Sequence, residues 1–245
     1  RDALAAALEG DRVRAILVTH CHSDHSPLAA WLRDLTGAPT IAFGPHGVVE
    51  TDPEIDDSIE EGLTLEETTD TEFDPDVRVA DGEIAAMGAK WTMRAVHTPG
   101  HTSNHMCYAL DEEQALFTGD HVMGWSTTVV SPPDGDMRDY IDSLRKVMAR
   151  DDASLWPTHG APVTKPKPFL EAFLEHRLER EAQVLAAVRS GQSDIQAMVK
   201  TMYADVREEL HKAAGRSVLS HLIKLVDDGE VTVDGKGKES KYFPK

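Results

Sequence analysis

The chain is short of cysteine, of aromatic residues and of positive charge, and it has no long apolar run. Two cysteines in 245 residues, Cys21 and Cys107, cannot supply a disulfide framework, and a reducing cytoplasm suits both. Without an apolar stretch of about 18 residues there is no transmembrane helix to predict. No signal-peptide pattern is visible; the chain starts at Arg1, so removal of an upstream segment is the expectation. Lys and Arg number 25 against 43 Asp and Glu, a formal charge of −18, and aromatics make up 6%. Nucleic-acid binding uses a cationic track and stacking platforms, so both shortages disfavour it.

The acidic excess is uneven. Residues 167–245 hold 13 basic and 13 acidic side chains, so residues 1–165 carry all of it, 12 basic against 30 acidic. Between Glu50 and Asp76 there are 13 acids and no Lys or Arg. That stretch reads as a solvated, partly mobile insertion; its functional alternative is a lid that repels anions.

What the chain does have is ligating side chains at the ends of strands. Val13 to Thr19 is β-branched and apolar, a predicted buried strand. It runs straight into His20-Cys21-His22-Ser23-Asp24-His25, three imidazoles and a carboxylate in six residues, all of them good zinc ligands. His101 follows Trp91 to His97 in a Thr-Pro-Gly-His turn, Asp120 follows Ala115 to Gly119, and His159 follows Ser154 to Pro157. Four strand-to-loop junctions thus offer seven candidate ligands, enough for two metal ions. Alternation along an extended loop turns Cys21 away from the ligands, and Cys107 falls in a strand and is assigned to the core.

The order His-x-His-x-Asp-His, Thr-Pro-Gly-His, Gly-Asp, Thr-His-Gly resembles that of the metallo-β-lactamase superfamily. The resemblance implies an α/β fold, the αββα sandwich, with two metals at one edge of its sheets. It assigns His20, His22 and His101 to one ion, Asp24, His25 and His159 to the other, and Asp120 as the bridge. In that family several strands precede the first motif, and here a helix (Asp2 to Glu9) and one strand do. The opening strands are therefore expected to be missing, leaving an uncovered sheet edge.

The chemistry implied is hydrolysis by a metal-bound hydroxide, because zinc can lower the pKa of a bound water to about 7. Two zinc ions are the expected cofactors, with iron or manganese suited by the same donors. Asp24 and Asp120 are the carboxylates expected to act in catalysis, Asp24 as ligand rather than general base. His22 stands where the diiron redox branch of the family has glutamate, which argues against redox chemistry. His105, His121 and Trp125 are the candidate substrate contacts. His97 reads as a supporting residue behind the ligands; His46, His176, His211 and His221 read as structural.

Further helices are predicted over Pro27 to Leu35 and Asp136 to Ala149, and further strands over Thr40 to Phe43, Val77 to Ala80 and His105 to Leu110. A boundary is placed at Pro166 to Pro168, dividing a catalytic domain, 1–165, from a module, 166–245. The module reads as helices over Phe169 to Arg189, Ser193 to Met202, Asp205 to Ala214 and Arg216 to Asp228, then a hairpin: the order of a winged helix. With the stretches Thr-Pro-Gly-His-Thr-x-x-His-Met and His-Arg-x-x-Arg-Glu (His176, Arg177, Arg180, Glu181), it resembles the branch that includes the lactamase-β-like endoribonuclease. Three functions compete. The first is hydrolysis of a small ester, thioester or lactone; the second, metal-dependent cleavage of single-stranded RNA. The third is DNA-binding regulation, reading bases with Arg216, Ser217, Ser220, His221 and Lys224. The module being neutral, dimerisation or shaping of the pocket is its preferred role, and a small molecule the preferred partner.

Overall fold

The computed structural model describes residues 1–47, 68–205 and 207–245. The expected acidic insertion lies mostly outside these residues. Its described end is solvated and also tied down: Asp76, though exposed, accepts from the Thr40 backbone N–H at 2.9 Å and its hydroxyl at 2.8 Å.

After helix α1, Asp2–Ala7, strands β1 (Ile16–Leu17), β2 (Thr40–Ala42) and β3 (Val77–Arg78) form a parallel sheet in the order β1-β2-β3. Helix α2, Pro27–Thr36, connects the first two, with Pro27 pre-set for its first turn and Gly37 closing it at φ 72°. A second sheet runs β4 (Ile84–Gly88), β5 (Trp91–His97), β6 (Met106–Leu110), β7 (Ala115–Gly119), β8 (Ser154–Pro157), antiparallel until β7 and β8 pair in parallel. Strand β4 was not expected: Ile-Ala-Ala-Met-Gly carries almost no β-branched residue, and pairing with β5 makes it a strand.

Period-2 alternation sends the strands' side chains to two cores. Ala95, Met106 and Tyr108 face Ile41 and Val79 between the sheets. Val96, Cys107, Ala109, Leu116 and Leu155 face outward, under helix α3, Met137–Met148. That helix buries Tyr140, Ile141, Leu144 and Val147, each worth about 1.5–3 kcal/mol, and Asp136 caps it by accepting from Asp139 N at 2.9 Å. Tyr108 also ties the sheets together, donating to the carbonyls of Val18 at 2.9 Å and Ile41 at 3.2 Å. Phe117 and Trp156 share its face by register but stand 38% and 46% exposed, and β1 is the outer strand of its sheet.

Helix α4, Pro166–Arg189, begins at Pro166, three residues ahead of the expected start, because proline suits a first turn. It serves two cores: Leu170 and Phe173 join the outer core of the sandwich, whereas Val184 and Val188 pack with α5 (Ile195–Met202), α6 (His211–Asp227) and the hairpin β9 (Val231–Asp234) to β10 (Lys241–Pro244). Two expectations are corrected here. Asp194, not Ser193, caps α5, accepting from Ala197 N at 2.8 Å. The two helices expected on either side of Gly215 are one, α6: the glycine lies against α5, where packing offsets its cost of about 1 kcal/mol. Among the described residues, no helix is long and apolar enough to cross a membrane.

Candidate metal centre

The two sheets meet where β1 ends. Met106 N donates to Thr19 O at 2.8 Å, which sets the backbone just before His20. The loop that follows is pinned from below. Ser23 N donates to Thr68 O and Asp70 N to Cys21 O, each at 2.8 Å, and Ser26 Oγ donates to Asp70 at 2.6 Å. Asp70 was not foreseen as a site support; it sat unmarked in a run of acids. Gly100, at φ 128°, lets the His101 loop lie against α3: a Cβ there would meet the Tyr140 backbone at 2.3 Å.

Three imidazole nitrogens converge first. His22 Nδ1 lies 3.0 Å from His20 Nε2 and 3.1 Å from His101 Nε2. The His101 tautomer follows from its other nitrogen, which donates to Val129 O at 2.7 Å and leaves Nε2 with its lone pair facing inward. Burial, with His101 and the other imidazoles nearby, holds His20 well below the usual histidine range and brings His22 down to about 3, so both are neutral. Beside them stands a second group. Asp24 Oδ2 is 3.3 Å from His25 Nε2 and 3.2 Å from His159 Nε2.

Asp120 Oδ2 lies between the two groups, 3.5 Å from His25 Nε2, 3.6 Å from His159 Nε2 and 3.9 Å from His101 Nε2. Burial opposes its charge, but His25 and the hydroxyl of Thr158, which donates to Oδ1, outweigh that and hold the carboxyl well below the carboxylate range. Oδ2 is buried without a hydrogen-bond partner among the described residues. An ionised oxygen in that position calls for a cation, and nitrogens about 3 Å apart suit a tetrahedral ion with bonds of about 2.0–2.1 Å. The residues present therefore fit two metal ions sharing one carboxylate.

The other candidates separate by depth. Trp125 is 75% exposed and lies parallel to the His159 ring, centroids 6.4 Å apart and planes within 7°. It flanks the open side, where Asp24 and His159 are also partly exposed. His105 and His121 are corrected: both are fully buried, behind the ligands rather than in the cleft. His105 Nε2 accepts from the Asp120 backbone N–H at 3.1 Å, so its Nδ1–H donates to Thr98 Oγ1 at 2.9 Å. His121 packs on Tyr140, centroids 5.0 Å apart. His97 stacks on Phe43 and bonds Ser103 O, away from the cluster. Cys21 Sγ meets Asn104, and burial pushes its thiol up to about 11.

Residues 1–159 match the metallo-beta-lactamase superfamily, and residues 195–239 match the beta-lactamase associated winged helix domain. The chain is similar to the atrochrysone carboxyl ACP thioesterase of Aspergillus chevalieri, 33% identical over 67% of this chain and 55% of that protein. It is also similar to the beta-lactamase-like protein 2 homolog of Drosophila melanogaster, 30% identical over 94% of this chain and 74% of the relative. The crystal structure of a beta-lactamase domain protein from Burkholderia ambifaria superposes with a TM-score of 0.80 at 23% identity, over 99% of this chain and 77% of that one. A sandwich of this family, with a cluster of ligating side chains at its sheet ends, makes the protein a hydrolase. By the match over its first 159 residues and by its fold, the chain belongs to the metallo-β-lactamase superfamily and carries that family's associated winged-helix domain at its C-terminal end.

Proposed function

We propose that the protein is a dinuclear zinc hydrolase of small, uncharged or weakly charged esters, thioesters or lactones. One observation carries the reading: two groups of three candidate ligands stand on either side of the buried Asp120 carboxylate and open beside an exposed indole. In this reading His20, His22 and His101 hold one ion, Asp24, His25 and His159 the other, and Asp120 both. When bound, such a pair would supply Lewis acidity and an ionised water nucleophile at neutral pH. The chain's own part is to keep His20 and His22 neutral by burial and to hold Asp120 ionised. Trp125 gives the acyl or leaving group an apolar wall. The thioesterase relative supports thioesters within this class.

Single-stranded RNA is the competing substrate, because the winged-helix arrangement resembles that of the endoribonuclease branch. It ranks second on charge: 43 acidic against 25 basic side chains give the chain an overall field that repels a polyanion.

The test loads the protein with zinc and measures turnover of p-nitrophenyl esters, thioesters, lactones and single-stranded RNA at low salt, with Asp120→Ala alongside. Ester or thioester turnover that the variant loses is expected. RNA cleavage lost in the variant, with no ester turnover in the wild type, would reverse the ranking. Trp125→Ala should raise KM about 3–10-fold and leave kcat within about twofold, the pattern of a wall that binds substrate and transition state alike.

A further inference from the structure

Helix α4 carries a buried cation that neither ligand set uses. Arg177 is 3% exposed, with its guanidinium 5.0 Å over the Tyr140 ring. Its Nη2 donates to the carbonyl of Thr128, and its Nε has no hydrogen-bond partner among the described residues. A charge taken out of water for a neutral carbonyl needs a reason.

The reason lies in what residues 128 and 129 do. They form no regular secondary structure, so no backbone ladder sets their place. Yet His101 and Asp120 both hang on them. The Thr128 hydroxyl lies 2.7 Å from Asp120 O and 3.0 Å from His121 O, as donor. The Val129 carbonyl takes the His101 Nδ1–H at 2.7 Å and so aims Nε2 at the cluster. Tyr140, beneath the guanidinium, donates to the same His121 carbonyl at 3.0 Å.

We propose that Arg177 is a positioning residue: it clamps Thr128–Val129 so that His101 Nε2 and the Asp120 carboxylate converge on the metals. The proposal rests on the dinuclear reading above. It also gives helix α4 a second task. The helix that enters the core of the winged-helix module, through Val184 and Val188, reaches through Arg177 the Thr128 carbonyl behind the metal cluster. The stretch His176-Arg177-x-x-Arg180-Glu181 then divides its work. Arg177 faces the cluster, Arg180 lies over Tyr203 at 4.8 Å, and Glu181 bonds Lys224 at 3.0 Å.

The experiment uses the whole chain and compares Arg177→Met, Arg177→Lys and Thr128→Val with a control, Arg180→Met. Zinc affinity is read by competition with a chromophoric chelator, and ligand geometry by the visible absorption of the cobalt-substituted protein. Circular dichroism and Tm report the fold. Arg177→Met should bind zinc about 10–100-fold more weakly, the usual loss when a group supporting a ligand is removed, with a changed cobalt spectrum. Arg177→Lys should recover part of the affinity, and Thr128→Val should weaken binding in the same direction. Arg180→Met should match the wild type. Should Arg177→Met fail to fold, the lysine and valine variants decide. Wild-type affinity and cobalt spectra in every Arg177 and Thr128 variant that folds, whatever their Tm, would overturn the proposal. A wild-type chain that binds no metal would instead sink the dinuclear reading itself, and the proposal with it.

Discussion

Asp120 and His105 show how much one residue's depth decides. Asp120 directly follows β7, His105 directly precedes β6, and both are buried. Asp120 presents an oxygen to imidazoles of both groups, whereas His105 spends both ring nitrogens on the protein, one of them on the Asp120 backbone. Asp120→Ala should therefore cost well over 100-fold in kcat/KM and lower the metal content. His105→Ala should cost about 10–100-fold, the range for a supporting partner, and His121→Ala no more than that. Equal losses from all three at equal metal content would argue against Asp120 as the shared ligand. Thr158 could have been picked out beforehand as the hydroxyl adjoining His159, but nothing local marked its hydrogen bond to Asp120.

Among the elements, strands deliver the ligands and helices lock the loops. The Thr-Pro-Gly-His turn works only if its glycine passes directly over α3. Gly100→Ala would place a methyl group against the Tyr140 backbone in a left-handed conformation, with no flexible side chain able to yield. A loss of at least about 2 kcal/mol in denaturant unfolding is expected, along with weaker zinc binding from a displaced His101. Wild-type stability would mean that the turn does not pack as described. The strands β5, β6, β7 and β8 and helix α3 were legible from alternation and from the apolar stripe of Tyr140, Ile141, Leu144 and Val147. Strand β4 was not, since alanines carry no pattern; nor was the continuity of α6 through Gly215, which depends on α5 lying alongside.

At the scale of the molecule, buried imidazoles link stability to pH. His20, His22, His105, His121 and His221 all lie below the usual histidine range, through burial first, and His22 and His121 are brought down to about 3. The unfolded chain then binds more protons than the folded one below about pH 6.5, so this stability is complete above that pH and is lost as pH falls towards 3. Metal-free protein held in chelator should show a lower Tm at pH 5.5 than at pH 7.5. Each buried histidine contributes up to about 1.4 kcal/mol per pH unit; a Tm that stays flat or rises as pH falls over that interval would contradict the burial. The second prediction at this scale concerns DNA. Of the five candidate base-reading residues on α6, Ser220 and His221 are buried, and Lys224 bonds Glu181 at 3.0 Å and Asp228 at 2.8 Å. Titration with duplex DNA at physiological salt should show no sequence preference. A specific affinity more than about 10³ above that for random DNA would revive the regulator.

Residue types at strand ends are a local property, and that is why the sequence alone determined the candidate ligand junctions, the family resemblance and the winged-helix order. Three histidines and an aspartate in six residues mark a candidate metal site by their chemistry alone. Depth is not local. That His105 and His121 turn inward, that Asp70 holds the loop after β1 and Asp76 the strand β2, and that Arg177 crosses from the module's helix to Thr128 depend on partners 7 to 49 residues away. A charged or polar side chain reads the same in sequence whether it faces water or a buried carbonyl. Only packing decides which, because the cost of burying it is met by a partner that the local sequence does not contain.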